Sequence, residues 1–211
     1  MASSLARLMK ADLDGLLIAA KAVANGGIIC YPTDTVYGLG CDPLSVSAVQ
    51  NVLRLKGRQA RAMPILVRDL ESASMLASLS NSARRLAMQF WPGPLTIVQH
   101  AQERVPAILA PEGTVGLRSP DHPVCLQLLA LCSGALVGTS ANKTGLSPAL
   151  SAAEALKIFG DRVDVILDGG SSRLGIASTV VDLTKDHVSI LREGPISKSE
   201  ILQCLRRREP R

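Results

Sequence analysis

The chain has 211 residues, a formal charge of +5, 47% hydrophobic residues and 19% charged ones, which suits one domain with a sizeable core and excludes an intrinsically disordered chain. Aromatic residues make up only 2%, so the core must be aliphatic, and a single-strand nucleic-acid reader built on aromatic stacking is excluded. The positive charge is compatible with an anionic ligand such as a nucleotide or RNA, and equally with a solvated basic surface.

From the N-terminus, Asp12 and Asp14 interrupt any apolar core that a signal peptide would need, so no secretory leader is expected. Leu13, Leu16, Leu17, Ala20 and Val23 are spaced for one face of a helix that stops at Asn25-Gly26-Gly27. "IIC" (28–30) reads as a short buried strand. The loop "YPTDTVYGLGCD" (31–42) follows, with more hydroxyls, acids and glycines than a turn requires. A helix is predicted over 45–55, a strand at "MPILV" (63–67), and a helix over 80–90 capped by Ser80 or Asn81. "LTIVQ" (95–99) and "TVGLR" (114–118) are predicted strands.

The uncharged stretch from Val124 to Asn142 is long enough to raise a membrane question. Gln127, the Ser133-Gly134 break and the polar "TSAN" end argue instead for a helix over 124–132, a turn, and a single strand "ALVGTS" (135–140). A helix over 151–159 has Ser151 and Glu154 in capping-box spacing. Strands "VDVIL" (163–167), "STVVDL" (178–183) and "VSILR" (188–192) come next. A closing helix over 197–208, with Ser197 and Glu200 in the same spacing, runs into the basic tail "RRREPR". Helices and strands alternate early and strands cluster late. That predicts an α/β fold: one domain spanning 1–211, its core at about 14–195, built on a twisted, open, mixed sheet.

Five cysteines, none in a CxxC pair, and three histidines leave no zinc spacing. They read as reduced core thiols of a cytoplasmic protein. The polar clusters gather where strands end, the usual place for ligands in α/β sheets. Lys56-Gly57-Arg58 suits phosphate oxygens, or simply a basic helix end. Thr139 to Asn142 can meet a phosphate, or cap the next helix. Arg118 can clamp a carboxylate or pair with Asp121. His122 can be a base or sit in a surface turn. Ser178 and Asp182 can form a local backbone bond, and Asp168-Gly169 is an ordinary turn signal. Asp34, Asp42 and Asp121 lack metal-ligand spacing. Neither a Walker motif nor G-x-G-x-x-G occurs.

The order of these clusters is more specific than any one of them. "YPTDTVYGLGCD", "KGR", "PILV", "WPGPLTIV", "TVGLRSPDHP", "TSANKTG", "DGG", "STVVDL" and "ILREG" together resemble the YrdC family of threonylcarbamoyl-AMP synthases, from about Asp14 to Pro195. The resemblance implies a twisted α/β sheet around a large, basic, concave cavity, and a short form without the extra C-terminal domain of some members. It implies that L-threonine, bicarbonate or CO2, and ATP with Mg²⁺ give threonylcarbamoyl-AMP and pyrophosphate. The product would feed t6A modification of tRNA through downstream transferase proteins. Carried over by motif, Thr35, Arg118, Thr139 and Ser178 are expected to face threonine. Lys56, Arg58, Thr114, Ser140, Asn142, Ser147 and Arg192 are expected to contact ATP, with Lys56 and Arg58 as the catalytic charges. On that basis Lys56→Ala would lose activity yet stay folded. Mg²⁺ is expected on the phosphates and not on a side-chain motif.

The chain departs from the family pattern at three places. Gln59 follows the KxR motif. "RAMPILVR" replaces "NPLIVH", so Ala62 or Met63 stands where an Asn would meet ATP, and Arg68 stands near a threonine-facing His. Glu193 follows Arg192 where the family has Pro. These changes leave open a paralogue that uses another amino acid. Carbamoyl-adenylate chemistry of the hydrogenase-maturation type is expected only in a much longer chain. A non-catalytic factor binding tRNA or double-stranded RNA through backbone phosphates is the reading from another class.

Overall fold

The computed structural model describes residues 7–57 and 63–206. The elements in chain order are β1 (Arg7–Lys10), α1 (Leu13–Ala24), β2 (Ile29–Tyr31), β3 (Gly38–Gly40), α2 (Val46–Lys56), β4 (Ile65–Val67), α3 (Leu70–Ser74), β5 (Ala77–Ser78), α4 (Asn81–Phe90) and β6 (Leu95–Ala101). There follow β7 (Thr114–Arg118), α5 (Pro123–Leu131), β8 (Ala135–Val137), β9 (Thr139–Ser140), α6 (Ala152–Phe159), β10 (Val165–Asp168), β11 (Thr179–Asp182), β12 (Ser189–Arg192) and α7 (Lys198–Arg206).

The α/β class holds, but the strands divide between two mixed sheets. One runs β1-β10-β2-β3-β9; the other runs β12-β11-β6-β7-β4-β8, with β5 beside β6. The expected single strand 135–140 is therefore two strands in different sheets: β8 pairs antiparallel with β4, and β9 pairs antiparallel with β3. Gly138 is the crossing point. Its N–H bonds to Pro64 O at 2.8 Å, and a Cβ there would lie 2.4 Å from Leu66 Cγ.

The helices form where their ends are capped. Asp12 accepts from Gly15 N at 3.0 Å, Ser80 from Ala83 N at 3.2 Å and Ser151 from Glu154 N at 3.2 Å. At α7 the capping box is reciprocal: Ser197 Oγ accepts from Glu200 N, and Glu200 Oε2 accepts from Ser197 N at 2.8 Å. At α6 the glutamate bonds Leu150 N, one residue earlier than a capping box requires. The Val124–Asn142 stretch holds most of α5, a turn at Ser133-Gly134 with positive φ at both residues, β8 and β9. Among the described residues no helix is long and apolar enough to cross a membrane.

The core is aliphatic, as the composition requires. Its largest cluster joins α2 and α6 to the inner strands. A second joins α1 and α5, and a third joins α4 and α7 to β6 and β11. Cys30, Cys41 and Cys125 are buried within it, and all five cysteines are free. Burial pushes the Cys41 thiol up to about 12 and those of Cys30 and Cys125 higher still.

The two sheets meet at Tyr31 and Gly40. The Tyr31 hydroxyl donates to Val137 O at 2.6 Å, and Val137 N donates to Cys41 O at 3.0 Å. A Cβ on Gly40 would stand 2.0 Å from Val137 O and 3.0 Å from the Tyr31 ring. Backbone at such a junction cannot yield as a flexible side chain would. Gly40→Ala is therefore expected to cost about 2–3 kcal/mol, a fall in unfolding temperature of roughly 4–12 °C for a chain of this size. Thermal unfolding followed by circular dichroism checks it, and an unchanged melting temperature would contradict this packing.

Candidate active site

A cavity of about 170 Å³ opens where the sheets meet. Its wall combines the 33–38 loop, Pro64 and Leu66 of the β4 segment, Thr96 of β6, Arg118 of β7, the Gly138–Ser140 crossing, Ser178 and Arg192. Among the described residues the lining carries two guanidinium groups and no carboxylate.

The 33–38 loop is held by its own hydroxyls. Thr33 Oγ1 donates to Val36 O at 2.7 Å and accepts from Thr35 N and Val36 N. Thr35 Oγ1 lies 3.0 Å from Thr33 Oγ1 and accepts from Arg118 Nη1 at 2.8 Å. Arg118 is 5% exposed. Its Nε donates to Gly93 O at 3.0 Å, and its Nη2 makes a very short ion pair with Asp34 Oδ1. Of the alternatives for Arg118, the Asp121 pair is ruled out: Asp121 bonds Arg173 at 2.7 Å on the surface. Burial pulls the Arg118 guanidinium below its ordinary range, and the Asp34 charge opposes that pull.

Opposite lies a second polar group. Ser178 Oγ is 2.8 Å from Thr96 Oγ1 and accepts from Arg192 Nη2 at 3.1 Å; Ser178 O accepts from Arg192 Nε at 2.9 Å. The local Ser178–Asp182 bond considered from the sequence is absent, because Asp182 accepts from Thr184 instead. Partial burial, and then the nearby Arg118 charge, lower the Arg192 pKa.

Lys56 sits differently from the sequence expectation. Its ammonium is 1% exposed and lies behind the lining. It donates to Ser140 O at 2.6 Å, Asn142 O at 3.0 Å and Asn142 Oδ1 at 2.9 Å. Asn142 Oδ1 also accepts from Ser140 Oγ at 2.7 Å, and Asn142 Nδ2 donates to Leu146 O at 2.6 Å. The KxR lysine and the SAN turn are thus one network, in which the lysine shapes the turn.

Thr35, Arg118, Thr139, Ser140, Ser178 and Arg192 converge on the cavity. Asn142 stands one bond behind it. Ser147 is exposed on the following loop. Thr114, at the far end of β7, is about 13 Å from Arg118 along the strand. Arg58, Gln59 and Ala62 lie outside the described residues. Met63 is buried in the core, and Arg68 points outward, 58% exposed and paired with Asp69. His122 is buried at the N-terminal end of α5, not in a surface turn, and it does not line the cavity. The Asp168-Gly169 turn reading holds, since Asp168 Oδ1 accepts from Gly170 N. Thr96 and the Asp34 pairing were not visible in the sequence. Thr96 reads as any residue of a buried strand, and Asp34 meets Arg118 across 84 positions.

The cavity has donors for anions and hydroxyls to align a small polar molecule. These features define an α/β protein with a polar, cationic pocket that suits an anionic small molecule. The family model for Sua5, YciO and YrdC proteins, described as "Telomere recombination", matches residues 21–194, and the chain belongs to that family. The threonylcarbamoyl-AMP synthase of Pyrococcus abyssi is 37% identical over 87% of this chain, which spans 55% of that protein's length. The protein of the same name from Halorhodospira halophila is 40% identical over 74% of this chain and 82% of its own. The crystal structure of P. abyssi Sua5 complexed with L-threonine superposes with a TM-score of 0.89 at 33% identity, covering 95% of this chain and 61% of that one.

Proposed function

We propose that this protein is a threonylcarbamoyl-AMP synthase, a nucleotidyltransferase that joins an N-carboxylated L-threonine to the adenylyl group of ATP. The observation that carries the reading is the Arg118 fork, which faces the cavity beside the Thr35, Thr139 and Ser178 hydroxyls. The likeness to a relative whose structure holds L-threonine supports it. In this reading Arg118 binds the amino-acid carboxylate. Ser140, Asn142 and Arg192, with Arg58, Thr114 and Ser147, serve the nucleotide. Lys56 contributes through the turn it holds.

The amine adds to CO2 and loses a proton, giving a carbamate. If bicarbonate supplies the carbon, one water is released. A carbamate oxygen then bonds to the α-phosphorus while the bond to the bridging oxygen breaks, and that electron pair leaves with pyrophosphate. The protein's part is alignment and stabilisation of charge on oxygen. Among the described residues no three acidic, His or Cys side chains converge to hold an ion. In this reading Mg²⁺ is carried by the ATP phosphates, where it would neutralise their charge. The product would pass to a transferase acting on tRNA.

Incubation with ATP, Mg²⁺, bicarbonate and each of several amino acids, reading pyrophosphate, tests the proposal. Release that requires both threonine and bicarbonate is expected. Release with a different amino acid would move the substrate assignment. No release from folded protein that binds RNA would favour a binding factor.

A further inference from the structure

Asp34 stands in the wall of the cavity without lining it. It is 1% exposed, one oxygen pairs with Arg118, and Oδ2 has no hydrogen-bond partner. A buried ion pair is poor evidence for stability, because desolvation of both charges offsets their attraction. The arrangement around Arg118 suggests a different use. A guanidinium has five N–H donors. Three go to Gly93 O, Thr35 Oγ1 and Asp34 Oδ1, which fixes the plane of the group. One N–H remains on each terminal nitrogen, and Arg118 lines the cavity, so these donors are left for an incoming carboxylate. Asp34 also sets the charge that an incoming carboxylate meets. A lone buried guanidinium would attract that anion strongly, whereas one already facing a carboxylate is partly neutralised before the ligand arrives.

We propose that Asp34 is a positioning residue for amino-acid recognition: it orients Arg118 and holds the pocket's affinity for the substrate carboxylate below its ceiling. The inference rests on the amino-acid reading above. It assigns opposite consequences to two substitutions. Asp34→Asn keeps an oxygen for Arg118 Nη2 and removes the competing charge. Asp34→Ala removes the orienting oxygen as well. A residue with only a packing role would give losses in both.

Titration calorimetry with L-threonine and with L-threoninamide, in the absence of ATP, reads the clamp independently of turnover. Asp34→Asn is expected to bind threonine about tenfold more tightly than wild type, with threoninamide unchanged. Asp34→Ala is expected to bind threonine at least about tenfold more weakly than the Asn variant. Thermal unfolding of each variant accompanies the titration. An Asn variant whose threonine affinity falls or stays level overturns the proposal, as does failure of both variants to fold. If only the Ala variant fails to fold, the threonine-to-threoninamide ratio of the Asn variant decides. Wild type that binds threonine without releasing pyrophosphate would overturn the synthase reading alone. Wild type that binds no threonine would overturn both.

Discussion

Lys56→Ala is expected to abolish turnover and also to lower the unfolding temperature by roughly 6–12 °C, about 3 kcal/mol for a chain of this size. The family resemblance alone led to the opposite expectation for folding, on the ground that the charge meets a ligand. In the folded chain the ammonium is buried and spends its donors on Ser140 O, Asn142 O and Asn142 Oδ1. Removing it takes the donor from Asn142 O and one of two donors from Ser140 O and from Asn142 Oδ1, which keep Asn142 N and Ser140 Oγ; an unsatisfied buried group costs about 1–3 kcal/mol, and each weakened one adds to that. The turn that carries Ser140 into the cavity then loses its support. Lys56→Met keeps the aliphatic stem and should share the defect, because packing is preserved and only the hydrogen bonds are lost. Thermal unfolding beside pyrophosphate release checks both variants. Wild-type melting with loss of activity alone would mean that the ammonium serves the ligand directly.

Arg118→Ala is expected to raise the threonine requirement by about a hundredfold or more while changing that for ATP by less than about threefold. Truncating one partner of a desolvated charge pair typically costs 2–5 kcal/mol, and here two pairs are affected. The substrate carboxylate loses its fork, and Asp34 loses its counter-ion. The second loss should appear as about 3–5 kcal/mol of instability. It should be largely recovered in the double variant Asp34→Ala/Arg118→Ala, which leaves no unpaired charge, while threonine binding stays lost. Steady-state kinetics in each substrate, with melting curves for the single and double variants, separates the two effects. Equal rises in both substrate requirements would contradict a carboxylate clamp. A double variant no more stable than Arg118→Ala would contradict the pairing.

Some of this was open to reading from residues alone. The helices at 46–56, 81–90, 152–159 and 198–206 announce themselves through apolar spacing and a serine at each start, because caps are local chemistry. The strands at 95–101 and 114–118 do so through β-branched and aliphatic residues, Leu95 to Val98 in the first and Thr114, Val115 and Leu117 in the second. Four elements gave no such signal, the two-residue β5 among them. β3 is Gly-Leu-Gly, a sequence with no strand propensity, and it is a strand because β2 and β9 flank it and the Tyr31 ring covers its glycines. α3 is a single short turn set by Asp69 bonding Ser72 N at 2.8 Å. β1 is an exposed edge whose one strand partner among the described residues is β10. The division at Gly138 was also hidden, since "ALVGTS" reads as one short strand until two different neighbours claim its halves.

For the cavity the same boundary applies. The motif order was enough to assemble the set that converges there, Thr35, Arg118, Thr139, Ser140, Ser178 and Arg192, because each motif is contiguous and lies in a strand or in the loop beside one. What Lys56 and Arg118 bond to was decided only by the tertiary structure. Lys56 reaches Asn142 across 86 positions and Arg118 reaches Asp34 across 84. A side chain's charge and length are written in the sequence. Which acceptors stand within 3 Å of its nitrogen depends on how the two sheets close on each other, and burial then turns those few contacts into the energies that set stability and recognition.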